Sequence, residues 1–136
     1  MADAMTDNKI YTYIRNKLIT EYPSAYVTSQ TVRITEVFPT IDIVLASKTR
    51  IRSAINFANN DKQYRVTYRI NVYTNKENGG LSQARKVMDT VISTMRELGF
   101  ADENILEMEN IDVTINRLVG TFARVICDGD LMPSST

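Results

Sequence analysis

The chain has 136 residues, 43% hydrophobic and 24% charged, which is the composition of one globular domain and not of a disordered, collagenous or disulfide-stapled chain. Sixteen Lys and Arg balance sixteen Asp and Glu, so the basic surplus of a general nucleic-acid binder is absent. With no His and a single Cys, a histidine triad is ruled out, and a zinc centre or an internal disulfide framework lacks its usual ligands.

The first element is a helix over Asp7–Glu21. Thr6 or Asp7 can cap it, and Ile10, Ile14 and Leu18 recur every fourth residue to form one apolar face. Pro23 ends it, because proline cannot continue the ladder and disfavours the helical region at Tyr22. Extended segments follow at Tyr26–Ser29 and Thr31–Phe38. Thr40–Ala46 then reads as a strand with Ile41, Ile43 and Leu45 on one face. Thr31–Phe38 and Thr40–Ala46 are expected to form a hairpin turning near Phe38-Pro39.

Lys48–Lys62 fits a helix or a strand and ends in the turn residues Asn59-Asn60-Asp61. So long a connection is unusual in a compact domain and is often functional or a protruding arm. Gln63–Thr74 is the clearest strand. Tyr64, Val66, Tyr68, Ile70 and Val72 alternate with a polar, basic row of Arg65, Thr67, Arg69, Asn71 and Tyr73. The period then switches to a second helix, roughly Leu81–Leu98, with Ala84, Val87, Met88, Val91, Met95 and Leu98 on one side. Ser82 is a candidate cap for its first turn, and Gly99 sits where a left-handed C-terminal cap is expected. Asp102–Asp112 carries five acids and no base, with a short strand at Ile105–Met108. Thr114–Asp128 is a long β run in which Gly120 signals a bulge or bend. The order of elements gives an α+β fold, an antiparallel or mixed sheet covered on one face by two helices, with a protruding β-arm. Residues 1–136 are expected to form one domain, with 1–6 and 129–136 as loose tails.

No apolar run approaches the length of a membrane span, and the N-terminus has no positive-then-apolar signal pattern, so synthesis in the cytoplasm is expected. Cys127, inside Arg124-Val-Ile-Cys127, reads as a small buried hydrophobe. Asn78-Gly79-Gly80 lacks the rest of a phosphate-binding motif and reads as the exit from a strand. Glu103, Glu107, Glu109 and Asp112 do not have calcium-loop spacing; an acidic edge or interface strip explains them better than a cation site. No catalytic residue, metal ligand or cofactor is expected.

Charge is uneven along the chain. Residues 1–68 hold 9 basic and 6 acidic groups, and residues 69–136 hold 7 basic and 10 acidic groups. Lys48, Arg50 and Arg52 alternate along the arm, with Phe57 beyond them, while Glu107, Glu109 and Asp112 lie in the acidic stretch. These seven residues are the expected contacts between subunits. A basic arm and an acidic strip on opposite sides of one chain favour head-to-tail association, which closes into a ring when the rotation closes.

The segments Ile10-Tyr-Thr-Tyr-Ile14, Phe38-Pro-Thr-Ile-Asp-Ile-Val44 and Tyr68-Arg-Ile-Asn-Val-Tyr-Thr-Asn-Lys76 stand in a distinctive order. They are followed by Gly80-Leu-Ser-Gln-Ala-Arg-Lys-Val-Met-Asp89, Glu97-Leu-Gly-Phe100 and Ile115-Asn-Arg117. Over residues 7–128 this order resembles the tail terminator, or tail completion, proteins of long-tailed bacteriophages. The resemblance implies a non-enzymatic virion protein, a homohexameric ring that caps the tail tube, ends its polymerisation and joins tail to head. Its implied partners are further copies of itself, the tail tube protein, a head-side neck or connector protein and, in a contractile tail, the sheath. DNA would pass only transiently through the lumen, no membrane would be involved, and assembly would take place in the host cytoplasm. A head-closure or tube-related subunit is the nearest alternative, and a small cytosolic enzyme or ligand-binding domain is the alternative of a different class.

Overall fold

The computed structural model describes residues 4–30, 37–51, 63–76, 80–108, 114–127 and 130–133. Two helices, α1 (Asp7–Glu21) and α2 (Gly80–Glu97), pack on one five-stranded mixed sheet. Its strands are β1 (Tyr26–Thr28), β2 (Thr40–Arg50), β3 (Gln63–Asn75), β4 (Ala101–Met108) and β5 (Ile115–Cys127), in the spatial order β1-β2-β3-β5-β4. The fold is α+β and the sheet is open.

Helix α1 has the expected bounds for the expected reasons. The Thr6 side chain accepts from the Lys9 amide at 3.4 Å, and Asp7 places an acid in the first turn beside the positive end of the helix. Ile10, Ile14 and Leu18 are fully buried, each contributing ~1.5–3 kcal/mol of apolar burial. Helix α2 begins at Gly80, so Ser82 lies inside its first turn and does not cap it. It ends in a hydrogen-bonded left-handed cap. Gly99 has φ +82°, its amide donates to Arg96 O at 2.9 Å, and the Phe100 amide donates to Met95 O at 2.9 Å. Phe100 then packs edge-on against Tyr68, with ring centroids 5.6 Å apart.

The sheet departs from the expected pairing. β2 has β1 as a parallel neighbour over Thr40–Asp42 and β3 as its antiparallel neighbour along its length, from Thr40↔Tyr73 to Arg50↔Tyr64. The hairpin therefore joins β2 to β3. Over Thr40–Asp42 both edges of β2 are taken, by β1 and β3, and residues 31–36 of the expected Thr31–Phe38 partner lie outside the described residues. β2 is also longer than expected, running on to Arg50, and from Leu45 onward it is exposed. Of the expected Lys48–Lys62 arm, residues 52–62 lie outside the described residues.

β3 is the central strand. Val66, Tyr68, Ile70 and Val72 face the helices and are buried. The opposite face is exposed at Arg65 and Arg69 but buried at Asn71 and Tyr73, so only its first half is the polar, basic surface expected. β4 is a full eight-residue strand, exposed at every position. The β3–β5 register runs unbroken through Ile70↔Gly120, so Gly120 marks no bulge there. A Cβ at Gly120 would lie 2.7 Å from Phe122 Cε2 and 3.1 Å from Ile105 Cδ1, so this glycine makes room for side chains packed over its backbone.

The described residues just before α1 meet those that follow β5. The Met5 amide donates to Asp130 O at 3.0 Å, and Ala4 and Leu131 form an isolated antiparallel bridge. Arg124 gathers this corner. Its guanidinium donates to Leu98 O at the end of α2 and to Met5 Sδ at 3.4 Å, and pairs with Asp130 at 3.4 Å. Cys127, expected as a small buried hydrophobe, ends β5 half-buried and lines a groove. Among the described residues, no helix is long and apolar enough to cross a membrane.

Candidate functional site

The described residues bring together no cluster of His, Cys, Asp or Glu that could hold a metal ion. What the topology does arrange is charge along the sheet. Of the expected contact residues, Lys48 and Arg50 lie on the exposed half of β2, and Glu107 lies on β4. Arg52, Phe57, Glu109 and Asp112 lie outside the described residues. β3 and β5 separate β2 from β4, so bases and acids sit near opposite edges of the sheet.

The basic side is built on the β2–β3 ribbon. Lys48 Nζ stands 5.1 Å from the centroid of the Tyr64 ring, a cation–π contact that holds the ammonium toward the start of α1. Lys48 and Tyr64 line a groove of about 650 Å³ together with Met5, Asp7, Ile126 and Asp130. Arg65 points to the other face, crosses β5 and meets Glu103 at 2.8 Å. One of the strand bases is thus paired within the chain. The acidic side is β4. Asp102 pairs with Arg96 at 3.2 Å, which with the hydrogen bond holds its carboxyl below the usual range, and Glu107 lies 3.9 Å from Arg85. The Arg65–Glu103 and Arg85–Glu107 pairs are solvent-exposed, so each contributes about 0–1 kcal/mol.

A second polar arrangement was not anticipated. On the face of the sheet away from the helices, Asp42 of β2 lies directly across from Asn71 of β3 and is fully buried. Asn71 Nδ2 donates to Asp42 Oδ1 at 2.6 Å, and Asn71 Oδ1 accepts from Arg117 Nε and Nη2 at 3.1 and 3.0 Å. The Arg117 guanidinium stands 5.7 Å from the Tyr73 ring. Arg and Asp are bridged by one amide that uses its donor toward the acid and its acceptor toward the base. Desolvation and the Asp42 charge raise the Tyr73 phenol, opposed by Arg117 and Arg69. This is a structural brace between β2, β3 and β5. The sequence carried one usable sign of it, the polar pair Asp42 and Asn71 inside otherwise apolar strands, which becomes meaningful only once the β2–β3 register is known.

Two tyrosines tie the helices to their surroundings and give an alkaline prediction. Tyr68 Oη donates to Asp7 Oδ1 at 3.4 Å, and burial, then the Asp7 charge, raise its phenol strongly. Tyr13 Oη donates to Glu97 Oε2 at 2.7 Å, and burial, then Glu97, push it up to about 12. Both native pKa values lie above the unfolded value near 10, so the stabilisation is complete below about pH 10 and is lost as pH rises through about 12. Urea unfolding across that window should show stability falling with pH, and Tyr68→Phe should flatten the slope. A slope unchanged by that substitution would contradict the assignment.

No protein-family model matches the chain, and no curated protein sequence matches it. Solved structures do match. The fold is similar to that of a chain in the virion of a native gene transfer agent particle, with a TM-score of 0.63 over 87% of this chain and 91% of that one. The likeness is one of fold, at 11% sequence identity.

Proposed function

We propose that this chain is a structural virion protein and, within that class, a tail terminator. In this reading it forms a ring, of six copies, that caps the tail tube, stops its growth and joins the tail to the head. The observation that carries the reading is the fold likeness to a chain of a virion particle, which spans nearly the whole length of both chains. Helices of 15 and 18 residues against one open sheet favour a terminator over the β-richer head-closure and tube-related subunits. The opposed acidic and basic edges supply the two unlike surfaces that a head-to-tail ring needs. Six copies of 15.4 kDa give about 92 kDa.

Termination in this account is geometric. One ring face fits the last tube ring, and the other presents no polymerising surface and accepts the neck. Its partners are the tube protein and a head-side connector, with DNA crossing the lumen during packaging or ejection. Deleting the gene should leave tails of uncontrolled length that fail to join heads, as seen by electron microscopy of lysates. The charge reversal Arg50→Glu with Arg52→Glu should reproduce a weaker form of that defect, because rim charges set register and partner choice more than affinity. Normal tail length and normal particle yield in the deletion strain would refute the proposed role.

A further inference from the structure

We propose that the outer edge of β4 pairs, main chain to main chain and antiparallel, with the distal outer edge of β2 in a second copy of this chain. The sheet would then continue from one subunit into the next. The inference rests on the ring reading above and specifies how its subunits would join.

Among the described residues, neither the outer edge of β4 nor that of β2 beyond Asp42 carries a further strand. β4 is the last strand of the sheet, and all eight of its residues are exposed, including Ile105 at 37%, Leu106 at 48% and Met108 at 43%. An exposed edge strand with large aliphatic side chains is a template for another strand. At the other side of the sheet, β1 covers only Thr40–Asp42 of the 11-residue β2. Along Ile43–Arg50 the outer edge of β2 meets no strand among the described residues, and Leu45–Arg50 are exposed. The β2 edge has its own register shift between Leu45 and Ser47, so each edge offers a regular run of about four or five residues, Ser47–Arg50 on β2 and Asn104–Met108 on β4, within the ordinary range of strand pairings.

The charges select the pairing. β4 carries Asp102, Glu103 and Glu107 and no base, whereas the free half of β2 carries Lys48 and Arg50 and no acid. Two β2 edges repel each other, and two β4 edges do so more weakly because each β4 acid is paired with an arginine of its own chain, so unlike edges are the favoured partners. The aliphatic residues and Glu107 lie past the bulge at Asp102/Asn104, so Asn104–Met108 is the straight part available for pairing.

Strand direction agrees. β2 and β5 run one way, while β3 and β4 run the other. Copies related by a rotation that keeps strand direction therefore bring β4 against β2 antiparallel, continuing the pattern already present inside each subunit. An unlike-edge contact repeated through one rotation closes into a ring.

The test is light scattering combined with amide hydrogen exchange on the full chain over a concentration series. The expected result is a closed oligomer in which amides of Asn104–Met108 and Ser47–Arg50 gain protection on assembly. Leu106→Lys with Met108→Lys should weaken association at least about tenfold without changing the fold, since both side chains are exposed and edge lysines block strand addition. A chain carrying Glu103→Lys and Glu107→Lys, and another carrying Lys48→Glu and Arg50→Glu, should each associate poorly alone and assemble when mixed. An oligomer whose β4 and β2 amides exchange as in the monomer would overturn the edge pairing and leave the ring reading intact. A chain that stays monomeric at every concentration would also overturn it, because both edges are present in the isolated chain. The ring reading would then be decided separately, by the position of the chain in particles.

Discussion

Phe122→Ala is expected to lower the unfolding free energy by roughly 3–5 kcal/mol, the largest loss from a single side chain in this fold. Phe122 is fully buried on the helix face of β5, paired with Tyr68 of β3 and packed over Gly120. Truncation removes the transfer free energy of a ring and leaves a cavity beneath helices that cannot fully close it. Gly120→Ala should cost roughly 1–3 kcal/mol for the opposite reason, since its new Cβ would sit 2.7 Å from the same ring. The two sites are therefore coupled. With the ring gone, most of the clash is gone, so the double variant should cost clearly less than the sum of the two singles. Denaturant unfolding of the three variants gives that coupling directly. Strict additivity would show that Gly120 is required by its backbone and not by the Phe122 ring.

Asn71→Leu is the second large loss expected, roughly 3–5 kcal/mol. Leucine matches the amide in size, so little packing is lost. It removes both the donor that reaches the fully buried Asp42 at 2.6 Å and the acceptor that holds Arg117 in two bonds. Breaking the bridge costs more than its net stabilising worth, because it leaves buried charge with fewer partners. Arg117→Met should cost less, since the Asn71–Asp42 bond survives. A thermal or denaturant series that ranks Arg117→Met above Asn71→Leu would contradict the bridging role of the amide.

The elements legible in the sequence are those whose physics is local. α1 was readable because a 3.6-residue period, a capping threonine and Pro23 all agree, and α2 because its apolar stripe ends in a glycine cap. β3 was readable because it is half-buried with period two. β4 was legible only in part, since a strand exposed at all eight positions leaves no burial pattern in its sequence. The partners of β2 over Thr40–Asp42 are not legible in the sequence, because neighbours in the sequence are the default strand partners. Here β1 pairs with β2 in parallel and β3 pairs with it antiparallel. Gly120 looked like a bulge because a glycine in a strand signals either a bend or close packing, and only the Phe122 ring decides between them. At the site, Lys48, Arg50 and Glu107 could be picked out as surface charges from their spacing. Their separation to opposite edges of one sheet, and the Asp42–Asn71–Arg117 brace, are products of long-range register that composition does not encode.

In the proposed role, many copies of this chain act as shaped parts of a particle. The measurement that tests this most directly is an electron-microscopic reconstruction of particles carrying a tagged copy of the chain. The account predicts a ring of this fold at the junction of tail and head, its subunits related by rotation about the tail axis. Particles that lack the chain, or that carry it anywhere but that junction, would contradict it.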